Sequence, residues 1–179
     1  MTWLPLMRRF ALPFAALLLL TFTASAQNPA TADGATLAPM LEWPTFPDAL
    51  SAAKESNRIV VVDVWSRNCG WCRKQQTEVY TQPDLQAYLL DNFELGRLDI
   101  DQGADTLSYR GYTLSSQMLS AGFGATATPT TIFLEPDGTY ITRLSGFHAY
   151  DDFFGVLRYI GSQAFREMSF EDFLKKEGK

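Results

Sequence analysis

The 179-residue chain has only two cysteines, Cys69 and Cys72, and they stand three positions apart. They follow the apolar segment "RIVVVDVW" at 58–65, which is rich in β-branched residues and too short for a helix. From Gly70 to Tyr80 the sequence is polar and compatible with a helix. The sequence therefore predicts a buried strand that leads, through Cys69, into the first turn of a helix.

A close cysteine pair has three possible uses. A structural zinc ion needs about four cysteine or histidine ligands, and the chain adds only one histidine, His148, far along the sequence. A structural disulfide here would close a loop of about four residues, which stabilises a fold by only about 2 kcal/mol. A redox pair fits best, because a helix N-terminus stabilises a thiolate at Cys69. Cys72, one turn deeper, is then expected to be the buried resolving thiol.

Asp63 interrupts the apolar segment six residues before Cys69. In a strand, its side chain shares a face with those of Val61 and Trp65. A carboxyl group buried beside a thiol pair has a raised pKa and can accept the proton of Cys72 during disulfide exchange. The other interpretation is an ordinary aspartate at the end of a strand, bonded to the backbone. Residue spacing alone leaves both interpretations open.

The N-terminus has the pattern of a secretory signal peptide. Two arginines precede the apolar run "FALPFAALLLLTF" at 10–22, and "TASA", ending at Ala26, provides the small residues of a cleavage site. A retained membrane anchor would need about 20 apolar residues, whereas this run is shorter and contains a proline. We therefore expect a signal peptide over 1–26, a flexible leader over 27–40 and one domain over 41–179.

The charge balance excludes some classes of partner. The chain has 15 basic and 20 acidic residues, and loss of the two arginines in the signal peptide leaves a net charge of about −7. Such a protein is poorly suited to binding nucleic acid or an anionic membrane through bulk charge.

Helix and strand signals alternate along the domain in the order α, β, α, α, β, α, β, β, α, α. Helices are expected at 46–58, 70–80, 83–93, 115–124, 149–165 and 169–178. Strands are expected at 58–65, at 93–101 as an edge or half-buried strand, and on both sides of the turn "EPDG". The segment 102–124 is otherwise predicted to be loose. This is an α/β pattern with a strand leading into C-x-x-C at the start of a helix, as in thioredoxin-like folds.

The segment "VVDVWSRNCGWC" resembles the active-site segment of the thioredoxins. Asp63 and Trp65 occupy matching positions, and Asn68 stands where many family members carry tryptophan. The pair between the cysteines is Gly70-Trp71, where cytoplasmic thioredoxins have Gly-Pro.

Three further segments extend the resemblance over about 42–161. "GRLDIDQ" has Arg97 where a buried lysine partner of the aspartate often sits. "ATPTTIFLEPDG" matches the segment with the cis-proline of the family, which implies a cis Thr128-Pro129 bond rather than a trans proline at the start of a strand. Gly146 corresponds to the glycine that ends the final hairpin strand.

The resemblance implies a thioredoxin-like fold, with a central mixed β-sheet flanked by helices, a helical insert before the cis-proline strand and an extra C-terminal helix. It implies that Cys69 attacks a substrate disulfide and that Cys72 resolves the mixed disulfide, with Asp63 and Pro129 as further catalytic residues. The backbone of Thr128 is expected to pair with an extended substrate segment by strand addition.

Three more residues, Trp65, Gly70 and Trp71, are also expected to contact substrate. Within the superfamily the chain is most similar to the periplasmic SoxW-like thioredoxins. The aromatic Trp71 does not separate these proteins from periplasmic disulfide isomerases, which share that feature.

The sequence thus predicts a periplasmic thiol:disulfide oxidoreductase that reduces disulfides of periplasmic proteins. It is expected to be a monomer, to need no metal or organic cofactor, to bind no nucleic acid, and to receive electrons from a membrane donor of the DsbD or CcdA kind. Two alternatives stay open. One is a periplasmic disulfide oxidant or isomerase, and the other is a redox-inactive binding module with this fold.

Overall fold

The structure is a computed structural model that describes residues 40–102 and 106–178. The predicted signal peptide, and the predicted leader apart from Met40, lie outside these residues. The helices are α1 (Phe46–Ser56), α2 (Gly70–Lys74), α3 (Pro83–Asn92), α4 (Ser116–Gly122), α5 (Tyr150–Gly161) and α6 (Phe170–Lys176). The strands are β1 (Ile59–Trp65), β2 (Phe93–Asp99), β3 (Thr106–Tyr109), β4 (Tyr112–Ser115), β5 (Thr130–Leu134) and β6 (Tyr140–Ser145). No helix within the described ranges is long and apolar enough to cross a membrane.

Four strands form the central sheet in the order β2-β1-β5-β6. The strand β1 pairs parallel with β2 and antiparallel with β5, and β6 is antiparallel to β5. The sheet is therefore mixed and flanked by helices, which confirms the predicted fold class. The residues of β1 from Ile59 to Val64 are all buried, as expected for a β-branched run in the interior of a sheet covered on both faces.

Helices cover both faces of the sheet. One face packs against α1 and α4, in a cluster that includes Phe46 and Leu119. The other packs against α3 and α5, in a cluster that includes Leu85 and Leu157. Because side chains alternate along β1, Asp63 lies on this second face with Val61.

The chain before α1 is held against the outer side of β2. The Arg97 N–H donates a hydrogen bond to the Pro44 carbonyl at 3.0 Å. Helix α1 also approaches β2 closely, because a Cβ atom at Gly96 would lie 2.8 Å from that of Ala49. Glycine at this position lets the N-terminal segment lie next to Arg97.

The segment before the cis-proline strand contains more structure than the sequence predicts. The expected helix is present as α4, but β3 and β4 form a two-stranded antiparallel sheet within the segment predicted to be loose. Arg110 and Gly111 connect them, and both have positive φ, 49° and 83°. The prediction missed this hairpin because each strand has four residues and Leu107 pairs with Leu114 as its one aliphatic pair.

The C-terminal region ends in the predicted extra helix. Helix α5 is shorter than expected and ends at Gly161, followed by a 3-10 turn at Ala164–Arg166. Between them Gln163 adopts the left-handed conformation, with φ of 59°, which interrupts the helix. Helix α6 then packs back on α5, where Gly155 leaves room for Phe170.

Candidate active site

Cys69 and Cys72 are joined by a disulfide at the start of α2, with their Cα atoms 5.2 Å apart. Cys69 is the N-cap residue of α2, and its sulfur accepts a hydrogen bond from the Cys72 N–H at 3.0 Å. Cys69 is half-buried, whereas Cys72 is only 1% exposed. The two sulfurs therefore differ in access, and an approaching disulfide can reach Cys69 but not Cys72.

A π-helical turn, Gln75–Val79, follows α2 directly, where the sequence predicts one regular helix. The turn places Gln75 and Gln76 in the interior. Gln76 donates a hydrogen bond to the Asp63 carboxylate at 3.2 Å, and Gln75 accepts one from the His148 N–H at 3.4 Å. Such turns are frequent at functional sites, and this one directs Gln76 towards β1 and Gln75 towards the loop after β6.

Asp63 is 1% exposed, and its carboxylate interacts with side chains rather than with the backbone. Arg97 donates to Oδ2 from Nη2 at 2.8 Å and from Nε at 3.0 Å. The Tyr80 hydroxyl lies 3.5 Å from Oδ1. Burial raises the pKa of the Asp63 carboxyl, and the charge and hydrogen bonds of Arg97 oppose the rise only in part. The Asp63 carboxylate is therefore a stronger base than that of an exposed aspartate.

Two tryptophans enclose the Arg97 guanidinium. Its central carbon lies 4.7 Å from the ring centroid of Trp65 and 5.2 Å from that of Trp43. Aromatic faces attract a guanidinium by cation–π interaction, and the attraction increases when the pair is desolvated. Since the Arg97 side chain is only 21% exposed, the two rings hold it in the orientation that contacts Asp63.

The Thr128-Pro129 peptide bond is cis, as the resemblance to the thioredoxins implies. The Thr128 carbonyl oxygen lies 3.4 Å from the Cys69 sulfur. The Gly146 N–H donates to the Pro129 carbonyl at 2.8 Å, which ties this loop to the end of β6. A groove of about 250 Å³ opens beside the disulfide and is lined by Trp71, Thr128, Pro129, Gly146 and Phe147.

The residues that the sequence places in the site fall into two groups. One group lies at or beside the surface groove and comprises Cys69, Gly70, Trp71, Thr128 and Pro129. The other lies away from the groove and comprises the buried Cys72 and Asp63 and the half-buried Trp65. Trp65 does not line the groove, because its ring faces Arg97 in a separate cleft of about 630 Å³. No group of three His, Cys, Asp or Glu that could hold a metal ion occurs within 40–102 and 106–178.

Sequence reasoning did not find three residues at the site. Trp43 and Gln76 contact the buried ion pair, and Phe147 lines the groove. Phe147 directly follows the glycine matched to the family, which is a signal that could have identified it. Trp43 has no such signal, since it reaches Arg97 only through the packing of the chain before α1 on β2.

Comparison with known proteins identifies the family. The family model for the thioredoxin-like domain matches residues 46–161, so the chain belongs to the thioredoxin-like domain family. A search of curated protein sequences gave no significant match.

Solved structures share the fold. A thioredoxin from Thermus thermophilus is 26% identical with a TM-score of 0.55, and the match covers 68% of this chain and 88% of that one. A thioredoxin-fold protein from Helicobacter pylori is 19% identical with a TM-score of 0.57, covering 68% and 80%. A DsbH oxidoreductase is 18% identical with a TM-score of 0.50, covering 75% and 94%. The fold and the disulfide-linked Cys-X-X-Cys pair support a thiol-disulfide oxidoreductase.

The ion pair predicts a pH-dependent stability in the variant Arg97→Gln. At neutral pH we expect the variant to lose about 3 kcal/mol of unfolding free energy, because a buried carboxylate is left without its cation. The pKa of Asp63 is higher in the folded protein than in the unfolded chain. The contribution of this group to the free energy of unfolding is therefore largest at pH values below its pKa in the unfolded chain, and it falls as the pH rises through its pKa in the folded protein. Without Arg97 the folded pKa rises further, and the decline extends to higher pH.

Urea unfolding between pH 4 and pH 8 measures this effect. The matched control is the double variant Asp63→Asn/Arg97→Gln. It lacks the titrating carboxyl, so its free energy of unfolding should not show the additional decrease with rising pH. Equal pH dependence in the single and double variants would contradict the assignment of the effect to Asp63.

Proposed function

We propose that the protein is a periplasmic thiol:disulfide oxidoreductase that reduces disulfides in other proteins. The observation that carries the proposal is the asymmetry of the cysteine pair. The half-exposed sulfur of Cys69 lies at a helix N-terminus and 3.4 Å from the Thr128 carbonyl, while Cys72 is buried behind it. Helix N-H groups stabilise a thiolate at the position from which it can attack.

The reaction proceeds by two thiol-disulfide exchanges. In the reduced protein the Cys69 thiolate attacks one sulfur of a substrate disulfide, so that a mixed disulfide forms and the other substrate sulfur leaves as a thiolate and takes up a proton. The Cys72 thiol then loses its proton and attacks the Cys69 sulfur. The Cys69–Cys72 disulfide forms and the second substrate sulfur leaves as a thiol. Two electrons pass from the protein to the substrate.

Asp63 is the proposed acceptor of the Cys72 proton. Gln76 follows Cys72 by four residues and donates a hydrogen bond to the Asp63 carboxylate, which supports a position of Asp63 on the side of the helix that carries Cys72. The raised pKa of the buried carboxyl makes it a better base than an exposed aspartate. Arg97 and its two tryptophans hold the carboxylate in place.

The substrate is proposed to bind as an extended segment beside Thr128. Strand addition uses main-chain hydrogen bonds, so it tolerates different side chains. Trp71 and the peptide of Gly70 then lie next to the reacting cysteine, and Trp65 acts from outside the groove by supporting Arg97.

The proposed compartment and electron donor are supported by the N-terminal pattern and by the proposed direction of the reaction. The secretory pattern of residues 1–26 supports export, and periplasmic proteins hold many disulfides. A reductase there must be reduced again after each cycle, for which we propose a membrane donor of the DsbD or CcdA kind. Among subfamilies, the sequence pattern supports the SoxW-like thioredoxins.

Cysteine variants test the activity. We expect the wild-type protein to accelerate the reduction of insulin by dithiothreitol and Cys69→Ser to lose the acceleration, because the attacking sulfur is absent. Cys72→Ser should accumulate a mixed disulfide, because the attack that releases it is lost; non-reducing electrophoresis detects this species. If the wild type does not accelerate the reaction, or if Cys69→Ser is as active, a redox-inactive binding module is the better interpretation.

Asp63→Asn is expected to slow resolution of the mixed disulfide by about 100-fold or more, the range for loss of a general base. In the wild type the resolution rate should rise with pH as the carboxylate ionises, and this rise should be missing in the variant. Stopped-flow kinetics with a fluorescent peptide disulfide measures both steps. The attack by Cys69, measured in a Cys72→Ser background, is the control and should change little. An unchanged resolution rate and pH profile would remove Asp63 from the site.

The equilibrium with glutathione tests the direction of electron flow. Thioredoxin and a strong periplasmic oxidant of the same fold differ by about 150 mV, or about 7 kcal/mol for two electrons. For a reductase we expect a potential near the thioredoxin end, about −270 mV. A potential near about −120 mV would favour the oxidant instead. Thiol trapping of the Cys69–Cys72 pair at graded glutathione ratios gives the value.

A further inference from the structure

A cluster of aromatic and cationic side chains lies on the rim of the groove, outside the sulfur chemistry. The rings of Trp71 and Phe147 have centroids 5.5 Å apart and are inclined at 33°. The Lys74 ammonium lies 5.6 Å from the Trp71 centroid and 5.1 Å from the Phe147 centroid. We call these three residues, Trp71, Lys74 and Phe147, the aromatic–cation rim.

The rim is open to an approaching molecule. Trp71 is 59% exposed, and its ring packs against that of Phe147 at the edge of the groove. Gly146 precedes Phe147 in the chain and donates its N–H to the Pro129 carbonyl. It has a φ of 86°, and a Cβ atom on it would meet nothing within 4 Å. The groove therefore has room for a side chain of a docked segment, with ring faces on one side and the peptide of Pro129 on the other.

Two basic residues lie at the rim, although the chain as a whole is acidic. The chain has a net charge of −5, yet Arg73 and Lys74 follow Cys72 directly. Lys74 has one carboxylate nearby, that of Glu78 at 3.5 Å. Within the described ranges Arg73 forms no ion pair, and its guanidinium donates to the Arg67 carbonyl at 2.7 Å. A local positive field next to Cys69 thus stands out from an acidic surface.

We propose that the aromatic–cation rim selects substrate segments in which an apolar or aromatic residue and an acidic residue lie next to the reacting cysteine. The apolar side chain packs between the groove and the rings. The docked segment also covers the Lys74 ammonium, which already pairs with the Glu78 carboxylate at 3.5 Å. Because the ammonium loses water when it is covered, a carboxylate in the segment is favoured as a second compensating charge. A lysine at the same place would be repelled. This inference rests on the proposed disulfide exchange at Cys69.

Matched peptide disulfides test the selection. Three peptides carry Phe beside the cysteine and differ only in the next residue, which is glutamate, glutamine or lysine. We expect the reduced protein to act on the glutamate peptide with a kcat/KM about three- to fivefold above that for the lysine peptide, the range for an exposed ion pair. The difference should arise mainly in KM and should shrink in 0.5 M salt, because exposed charges are screened.

Two variants assign the effect to the rim. Lys74→Gln should reduce the ratio of glutamate to lysine peptide rates towards one. Lys54→Gln, at an exposed position in the last turn of α1, is the matched control and should keep the wild-type ratio. Phe147→Ala should raise KM for all three peptides, since each uses the ring face.

The outcomes separate this inference from the proposed function. Equal rates for the three peptides, or an unchanged ratio in Lys74→Gln, would overturn the selection while leaving disulfide reduction in place. Failure to reduce any peptide disulfide would overturn the proposed function, and the selection with it. A ratio that falls equally in Lys54→Gln would assign the preference to net charge and overturn the role of the rim.

Discussion

The structure depends on one buried ion pair, that of Asp63 and Arg97. A carboxylate that is 1% exposed inside an apolar strand needs a partner close by, and the parallel register of β1 with β2 provides it by placing Asp63 opposite Arg97. The remaining polar groups, those of Gln76 and Tyr80, come from the π-helical turn after α2 and the residue that ends it. The segment before α1 adds Trp43, which covers Arg97. Four parts of the fold thus meet at one ion pair.

Helix α2 separates the two sulfurs by access. Its N-cap residue, Cys69, is half-buried beside the Thr128 carbonyl, whereas Cys72 is buried. In the proposed reaction the Cys69 sulfur reacts with the substrate, and the Cys72 sulfur reacts only with Cys69. The groove and its rim lie on the outer side, and Asp63, the proposed proton acceptor, lies in the interior. In this proposal, substrate recognition and proton transfer use separate residues.

Much of the fold could be predicted because its signals are local. The β-branched run of β1, the "EPDG" turn and the glycines that end helices act within a few residues. The β3–β4 hairpin was missed because its two short strands carry little apolar periodicity. The helix after the cysteines was predicted as regular, and the π-helical turn was not, since its wider geometry is stabilised by contacts of Gln75 and Gln76 with distant residues.

By itself the sequence determined the cysteine pair, its place after a buried strand, the resemblance to the thioredoxins and the candidate roles of Asp63 and Pro129. These follow from spacing and residue type, which are properties of a short segment. Only the tertiary structure decided that Asp63 is buried against Arg97, that Trp65 faces this pair instead of the groove, and that Phe147 and Lys74 stand with Trp71 on its rim. Burial, and contacts between residues far apart in the chain, arise only when strands pair and helices pack, so no local pattern carries them.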